Sequence, residues 1–131
     1  LQPGPQFYPD DMITDQAERF IAAELIREKL MLQTRREIPY SSAVTVEEFR
    51  DDTRRQMLRM RAVIHVERDS QKGIVIGKRG ARLKQIGSQA RADLERFFGR
   101  KIYLDLHVTV DRDWSQNPAL LRRLGYDRED F

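Results

Sequence analysis

The stretch VIGKRGARLKQIGSQAR, residues 75–91, holds two glycines three apart with two cations between them. Glycines let a loop take left-handed backbone angles and bring its main chain close to a ligand with no Cβ in the way. Beyond the loop, Leu83, Ile86, Ala90, Leu94 and Phe97 recur at helical spacing and predict a helix to about Phe98, stopped by Gly99. Amides at the start of such a helix point towards an anion, and the helix dipole favours one there. Lys78 and Arg79 set positive charge at the tip of the loop. By spacing alone, Gly77-Lys78-Arg79-Gly80 also fits a tight corner between two helices.

Charge around the loop bears on these two readings. The chain has 131 residues and a formal net charge of +3, too small to favour any partner. Between Lys72 and Lys101, nine basic residues face only Asp93 and Glu95, giving +7, while the rest carries 15 basic against 19 acidic residues, or −4. A concentrated basic segment in a mildly acidic chain points to a polyanion, although a solvated basic helix face has the same composition.

Working outward, Asp69 to Gln71 reads as a turn or helix cap and Lys72 to Ile76 as a short apolar segment before the loop. On the far side, Ile102, Leu104, Leu106, Val108 and Val110 alternate with Tyr103, Asp105, His107 and Thr109, which predicts a strand with one buried face. Upstream, Met60 to Arg68 alternates in the same way, with Ala62, Ile64 and Val66 facing one side. Val44 and Val46 mark an earlier strand from Ala43 to about Phe49, and the charged run Arg50 to Leu58 reads as the loop between the two. Good helix formers run from Asp15 to about Gln33, with Asp15 or Thr14 as the cap and Phe20, Ile21, Leu25, Ile26, Leu30 and Leu32 on a broad apolar side.

Residues 1–13, with Pro3, Pro5 and Pro9, read as an extended linker, and residues 114–131 as a tail with a short helix from Ala119 to Leu124. A chain that begins within a linker is expected to be an excised domain; the alternative is a stand-alone homologue. The fold class is α+β: order α-β-β-α-α-β plus a short C-terminal helix, with a three-stranded mixed sheet covered on one face by helices. The last two strands, separated by two helices, are expected to pair in parallel.

Composition excludes several classes. There is no cysteine, hence no thiol catalysis, disulfide framework or cysteine-ligated zinc, and a reducing cytoplasmic setting is the default. No apolar run is long enough to span a bilayer. No G-x-x-x-x-G-K-[ST] occurs; the segment from Gly73 to Arg79 has one residue too few between its glycines and arginine after the lysine. His65 and His107 each lie on a strand with no ligand cluster, and read as exposed sheet-face residues rather than a metal site or a dyad with Asp105. Trp114, with Tyr126 and Phe131, is expected to pin the tail to the body.

A GXXG loop between two helices is how KH domains clamp a nucleic-acid backbone, and the element order matches the type II arrangement. The resemblance becomes specific in FYPDDMITDQAERFIAAELIREKL (7–30), REIPYSSAVTVEEF (36–49), VIGKRGARLKQIGSQAR (75–91) and VDRDWSQNPALLRRLGYD (110–127). Together these are similar to the C-terminal KH domain of the Era family of bacterial GTPases. The resemblance implies binding to the single-stranded 3′ end of small-subunit (16S) ribosomal RNA during assembly of the small subunit. It also implies a cytoplasmic setting with a peripheral contact to the inner membrane. The GTPase domain is absent from this chain, so GTP and Mg²⁺ belong to that missing part; the chain is expected to be non-enzymatic, monomeric and without cofactor or metal.

Carried over residue by residue, the resemblance makes Gly77, Lys78, Arg79 and Gly80 the backbone clamp. It lines a base groove with Val75, Ile76, Ile86, Ile64 and Val66, though Ile86 and Val66 fit simple core packing equally well. Lys72, Arg82, Lys84 and Arg91 become phosphate contacts, with Arg91 equally suited to solvated surface. The loop before the second strand offers Arg54, Arg55 and Arg59 as variable-loop contacts, opposed by Asp51 and Asp52. The competing reading is a docking domain for a protein partner or an anionic membrane surface.

Overall fold

Leu58, Met60, Ala62, Ile64 and Val66 alternate along one strand, and all five are buried. That strand is the centre of the sheet. In a computed structural model, residues 10–37 and 42–112 are described. Their order is helix α1 (Asp10–Thr34), strands β1 (Ser42–Asp52) and β2 (Met57–Val66), helix α2 (Asp69–Ile76), a single 3₁₀ turn (Lys78–Gly80), helix α3 (Ala81–Phe98) and strand β3 (Ile102–Val110). The sheet order is β1-β2-β3. β1 runs antiparallel to β2, with a register shift between Val46 and Glu48. β2 and β3 are parallel, from Leu58 opposite Ile102 to Val66 opposite Val110. The α+β fold, its element order and the mixed sheet are therefore as expected. The tail helix at 119–124 and Trp114 lie outside the described residues.

Apolar area removed from water holds the layers together. Ala22, Ala23, Ile26 and Leu30 of α1 and Ile86, Ala90 and Leu94 of α3 meet the buried side of the sheet, and Val75 of α2 joins them. The α1 stripe is narrower than its sequence suggests: Phe20 is 66% exposed and Leu32 56%. α1 is also longer, because it starts at Asp10, directly after the last of the three prolines, so none falls inside it. Asp15 is then an interior residue, and it pairs with Arg19 at 3.1 Å rather than capping the helix. At the other end of α1, the Thr34 hydroxyl donates back to the Leu30 carbonyl at 2.8 Å.

The charged run from Arg50 to Leu58 is mostly strand. β1 continues to Asp52 and β2 begins at Met57, leaving a turn of Thr53, Arg54, Arg55 and Gln56. Gln56 takes a positive φ of 51° to close it. The polar residues here are the solvent side of a hairpin rather than a loop, which is why composition concealed the strand.

His65 differs from the exposed residue expected. It is 6% exposed, and its ring lies between the Thr45 hydroxyl at 2.8 Å and an Asp111 carboxylate oxygen at 2.5 Å, joining β1 and β2 to the residue just past the end of β3. His107 does face solvent, beside Asp105 at 3.1 Å. Among the described residues no group of three or more His, Cys, Asp or Glu could hold a metal ion, and no helix is long and apolar enough to cross a membrane.

Candidate functional site

The loop's shape follows from its glycines. Gly77 has φ 76° and ψ −179°, a conformation that side chains exclude, and it ends α2 by donating its amide to the Gly73 carbonyl at 2.9 Å. Arg79 is left-handed at φ 56°, ψ 29°, and Gly80 at φ 76°, ψ 10° caps α3. Between the glycines, Lys78 and Arg79 are exposed. Gly80 has no side chain to cap α3, so the start of that helix meets solvent without a competing side-chain acceptor.

Immediately beyond Gly80 a groove of about 460 Å³ opens between α3 and β3. Leu83, Gly87, Leu104 and Leu106 make its apolar lining, and Lys84, Ser88 and Arg91 its polar rim. The groove exists because β3 is the edge of the sheet and α3 carries a glycine against it. A Cβ at Gly87 would sit 3.3 Å from the Leu106 Cδ1.

Most of the expected groove residues do not reach this surface. Ile64, Val66, Val75 and Ile86 are each 0% exposed and belong to the core. They carry the walls from behind and offer no surface to a base, because β2 is central in the sheet and Ile86 points down onto it. Ile76 is half-buried at the end of α2. The apolar positions that do open to solvent, Leu83, Leu104 and Leu106, were visible in the sequence as part of the α3 stripe and the β3 alternation. That β3 is an edge strand, leaving their outer side uncovered, was not.

The expected phosphate contacts divide as well. Lys84 and Arg91 are exposed on the groove rim. Lys78, Arg79, Lys84 and Arg91 form no ion pair among the described residues. Arg82 is occupied within the fold: it donates to the Ile74 carbonyl at 3.3 Å and lies 3.8 Å from Glu37, tying α2 and the turn after α1 to the start of α3. Lys72 is half-buried on α2, outside the groove lining. Arg54 and Arg55 are exposed on the hairpin turn. Arg59 is not in that turn but on β2, 3.8 Å from Asp52, with its guanidinium 4.6 Å from the centre of the Tyr103 ring.

Ion pairs brace the platform behind the groove. Lys29 of α1 meets Asp93 of α3 at 2.8 Å, and Arg96 joins the same carboxylate. The hydrogen bond from Lys29 holds the Asp93 carboxyl below its ordinary range and raises the Lys29 ammonium. At the sheet end, Arg100 meets Asp51 at 2.7 Å; that hydrogen bond lowers the Asp51 carboxyl and raises the Arg100 guanidinium. Glu95 accepts the Ile102 amide at 3.0 Å and so fixes where β3 starts.

A glycine loop between two helices, opening on an apolar groove at a sheet edge, can hold a strand of nucleic acid by its backbone with its bases against the groove. A family model described as KH domain matches residues 37–115. The chain belongs to the KH domain family. Within it, this KH domain is of the Era type. It is 56% identical over 127 residues to the GTPase Era of Syntrophus aciditrophicus (strain SB), and 50% identical over 124 residues to that of Coxiella burnetii (strain CbuK_Q154). These matches take in 97% and 95% of the chain, but the chain spans only about 42% and 41% of those relatives' length.

Two solved structures resemble the domain, each with a TM-score of 0.79 and 44% identity over 83% of the chain and 36% of the other. One is an Era variant from Aquifex aeolicus bound to GDP and aluminium fluoride. The other is Era in complex with MgGDPNP and nucleotides 1506–1542 of 16S ribosomal RNA. The match is thus to a binding domain, and no P-loop motif occurs in this chain.

Proposed function

We propose that this KH domain binds the single-stranded 3′ end of 16S ribosomal RNA and serves small-subunit assembly as part of an Era-type GTPase. The observation that carries the proposal is the continuity of the loop with the groove: Gly80 both ends the glycine loop and lines the hollow shared with Leu104 and Leu106. In this reading Gly77 to Gly80 bring backbone amides to the phosphates, and Lys78 and Arg79 neutralise them. Bases lie against Leu83, Gly87, Leu104 and Leu106, while Lys84 and Arg91 meet the phosphates along the rim. Ile76, Lys72, Arg54 and Arg55 remain candidates for flanking contacts. The solved Era complex with 16S nucleotides, at 44% identity to this chain, supports the choice of RNA.

Fluorescence anisotropy with a labelled oligoribonucleotide from the 3′ end of 16S rRNA tests the proposal. Binding is expected to weaken with salt, with a log–log slope of about −0.7 for each phosphate neutralised on a single strand. Flotation with anionic liposomes supplies the contrast. Vesicle binding without oligonucleotide binding would assign the basic surface to membrane docking instead.

A further inference from the structure

Ile64 and Val66 of β2 face the helices, so strand alternation puts the His65 side chain on the other face of the sheet. It is buried there all the same, and each ring nitrogen meets a partner from another segment. Nδ1 faces Asp111, just past β3, at 2.5 Å, and Nε2 faces the Thr45 hydroxyl of β1 at 2.8 Å. The row of contacts goes one step further: the Thr45 hydroxyl donates to a Glu47 carboxylate oxygen, also at 2.8 Å.

Counting hydrogens tells the two states of the ring apart. Three contacts link Asp111, His65, Thr45 and Glu47 in a row. The groups at both ends are carboxylates, which accept only when ionised. A neutral imidazole has one N–H, so with the Thr45 hydroxyl there are two hydrogens for three contacts. The imidazolium has two N–H groups, and all three bonds are made: Nδ1–H to Asp111, Nε2–H to Thr45, and the Thr45 hydroxyl to Glu47. In the neutral ring with Nδ1–H kept on Asp111, Nε2 is an acceptor. The one Thr45 hydrogen must then leave Glu47 to meet it.

The surrounding charges favour the same state. Asp111 and Glu47 are joined by Glu67, two residues further along β2 on the same face. From β3, His107 lies diagonally across, opposite Val63, and its ring is turned to Asp105. Arg112, next after Asp111, is turned to Asp69 of α2 at 3.0 Å. The Asp111 amide also donates to the Val66 carbonyl at 2.7 Å. The cluster therefore stands where β2 hands the chain on to α2, the helix that leads into the glycine loop.

We propose that His65 is a proton-dependent clasp: as an imidazolium it ties β1 and β2 to the residue past β3, and when it releases a proton to solvent the Thr45–Glu47 arm opens and this end of the sheet loosens. The proposal does not depend on the RNA-binding reading. A fold that favours the protonated ring binds more protons than the unfolded chain, so stability falls as pH rises through the range where histidine titrates.

Ring-nitrogen NMR on ¹⁵N-histidine protein, with thermal melts from about pH 6 to about pH 9, tests the clasp. His107→Gln tells the chain's two histidines apart. At about pH 7 both His65 nitrogens are expected to carry hydrogen. Asp111→Asn keeps the shape of the acceptor without its charge, and should move the His65 titration to lower pH by about one unit or more. Thr45→Val removes the hydroxyl and keeps a strand-favouring side chain; it should move the titration the same way by less. Both variants should flatten the fall in melting temperature that the wild type shows above neutral pH. A wild-type ring lacking one hydrogen at about pH 7, or a titration unmoved in Asp111→Asn, would overturn the proposal.

Discussion

Arg82 approaches Gly77 so closely that a Cβ on Gly77 would lie 2.7 Å from the Arg82 Cβ and 3.0 Å from its amide nitrogen. Gly77 also has a positive φ, so two independent constraints admit only glycine there. Gly80 has the second constraint alone, because nothing lies within 4 Å of its missing Cβ. The two glycines of the motif are therefore not equivalent. Gly77→Ala is expected to cost about 2–4 kcal/mol, from strain and a clash with backbone. Gly80→Ala should cost about 1–2 kcal/mol, the left-handed penalty by itself. Urea denaturation of the two variants measures the difference, and equal midpoints would contradict this account of the loop.

The α1–α3 ion pair predicts how stability depends on pH. Lys29 holds the Asp93 carboxyl below its ordinary range in the folded state. The unfolded chain consequently takes up a proton first as the solution becomes acidic. The pair's contribution is full above the ordinary aspartate pKa of about 3.9 and fades as pH falls through the lowered folded value. Asp51, lowered by Arg100, acts in the same direction. Lys29, being raised, keeps its contribution below the ordinary lysine pKa and loses it only as pH climbs through the raised value. Asp93→Asn should therefore lower the melting temperature at neutral pH and shrink the further fall between about pH 5 and pH 2. Thermal melts across that range check both effects.

Gly87 sets the depth of the groove. Gly87→Met would place a flexible chain over Leu106 and fill the floor where bases are proposed to lie. Helix propensity favours methionine over glycine by close to 1 kcal/mol, at about the size of the strain from moving Leu106. The melt should accordingly shift little while oligonucleotide affinity falls at least about tenfold, the loss of one stacked or packed base. Matched melting and anisotropy series on this variant separate a blocked site from a damaged fold.

Much of this architecture is legible in the residues. Two glycines three apart, flanked by helical spacing, announced the loop because backbone angles at Gly77 exclude anything else. The parallel pairing of β2 with β3 followed from the two helices between them. What stayed hidden was of a different kind. Periodicity says which face of an element is apolar, but not which apolar residues a neighbouring layer then covers. Ile64 and Leu106 look alike in sequence; one sits on the central strand and is sealed, the other on the edge and lines the groove. Arg59 reads as a loop residue in sequence because two solvent-facing strand ends have a loop's composition. Its contact with Tyr103 joins positions 44 residues apart in the chain, which no local pattern reveals.

The exposed tip of the glycine loop is expected to bind RNA without holding the fold together. Lys78 and Arg79 make no ion pair among the described residues, and aspartate tolerates the left-handed backbone that Arg79 already adopts. The most direct measurement is anisotropy of a labelled 16S 3′-end oligonucleotide with the double variant Lys78→Asp, Arg79→Asp, alongside its thermal melt. The account predicts that binding is lost while the melt remains close to that of the wild type. Oligonucleotide affinity equal to that of the wild type would contradict it.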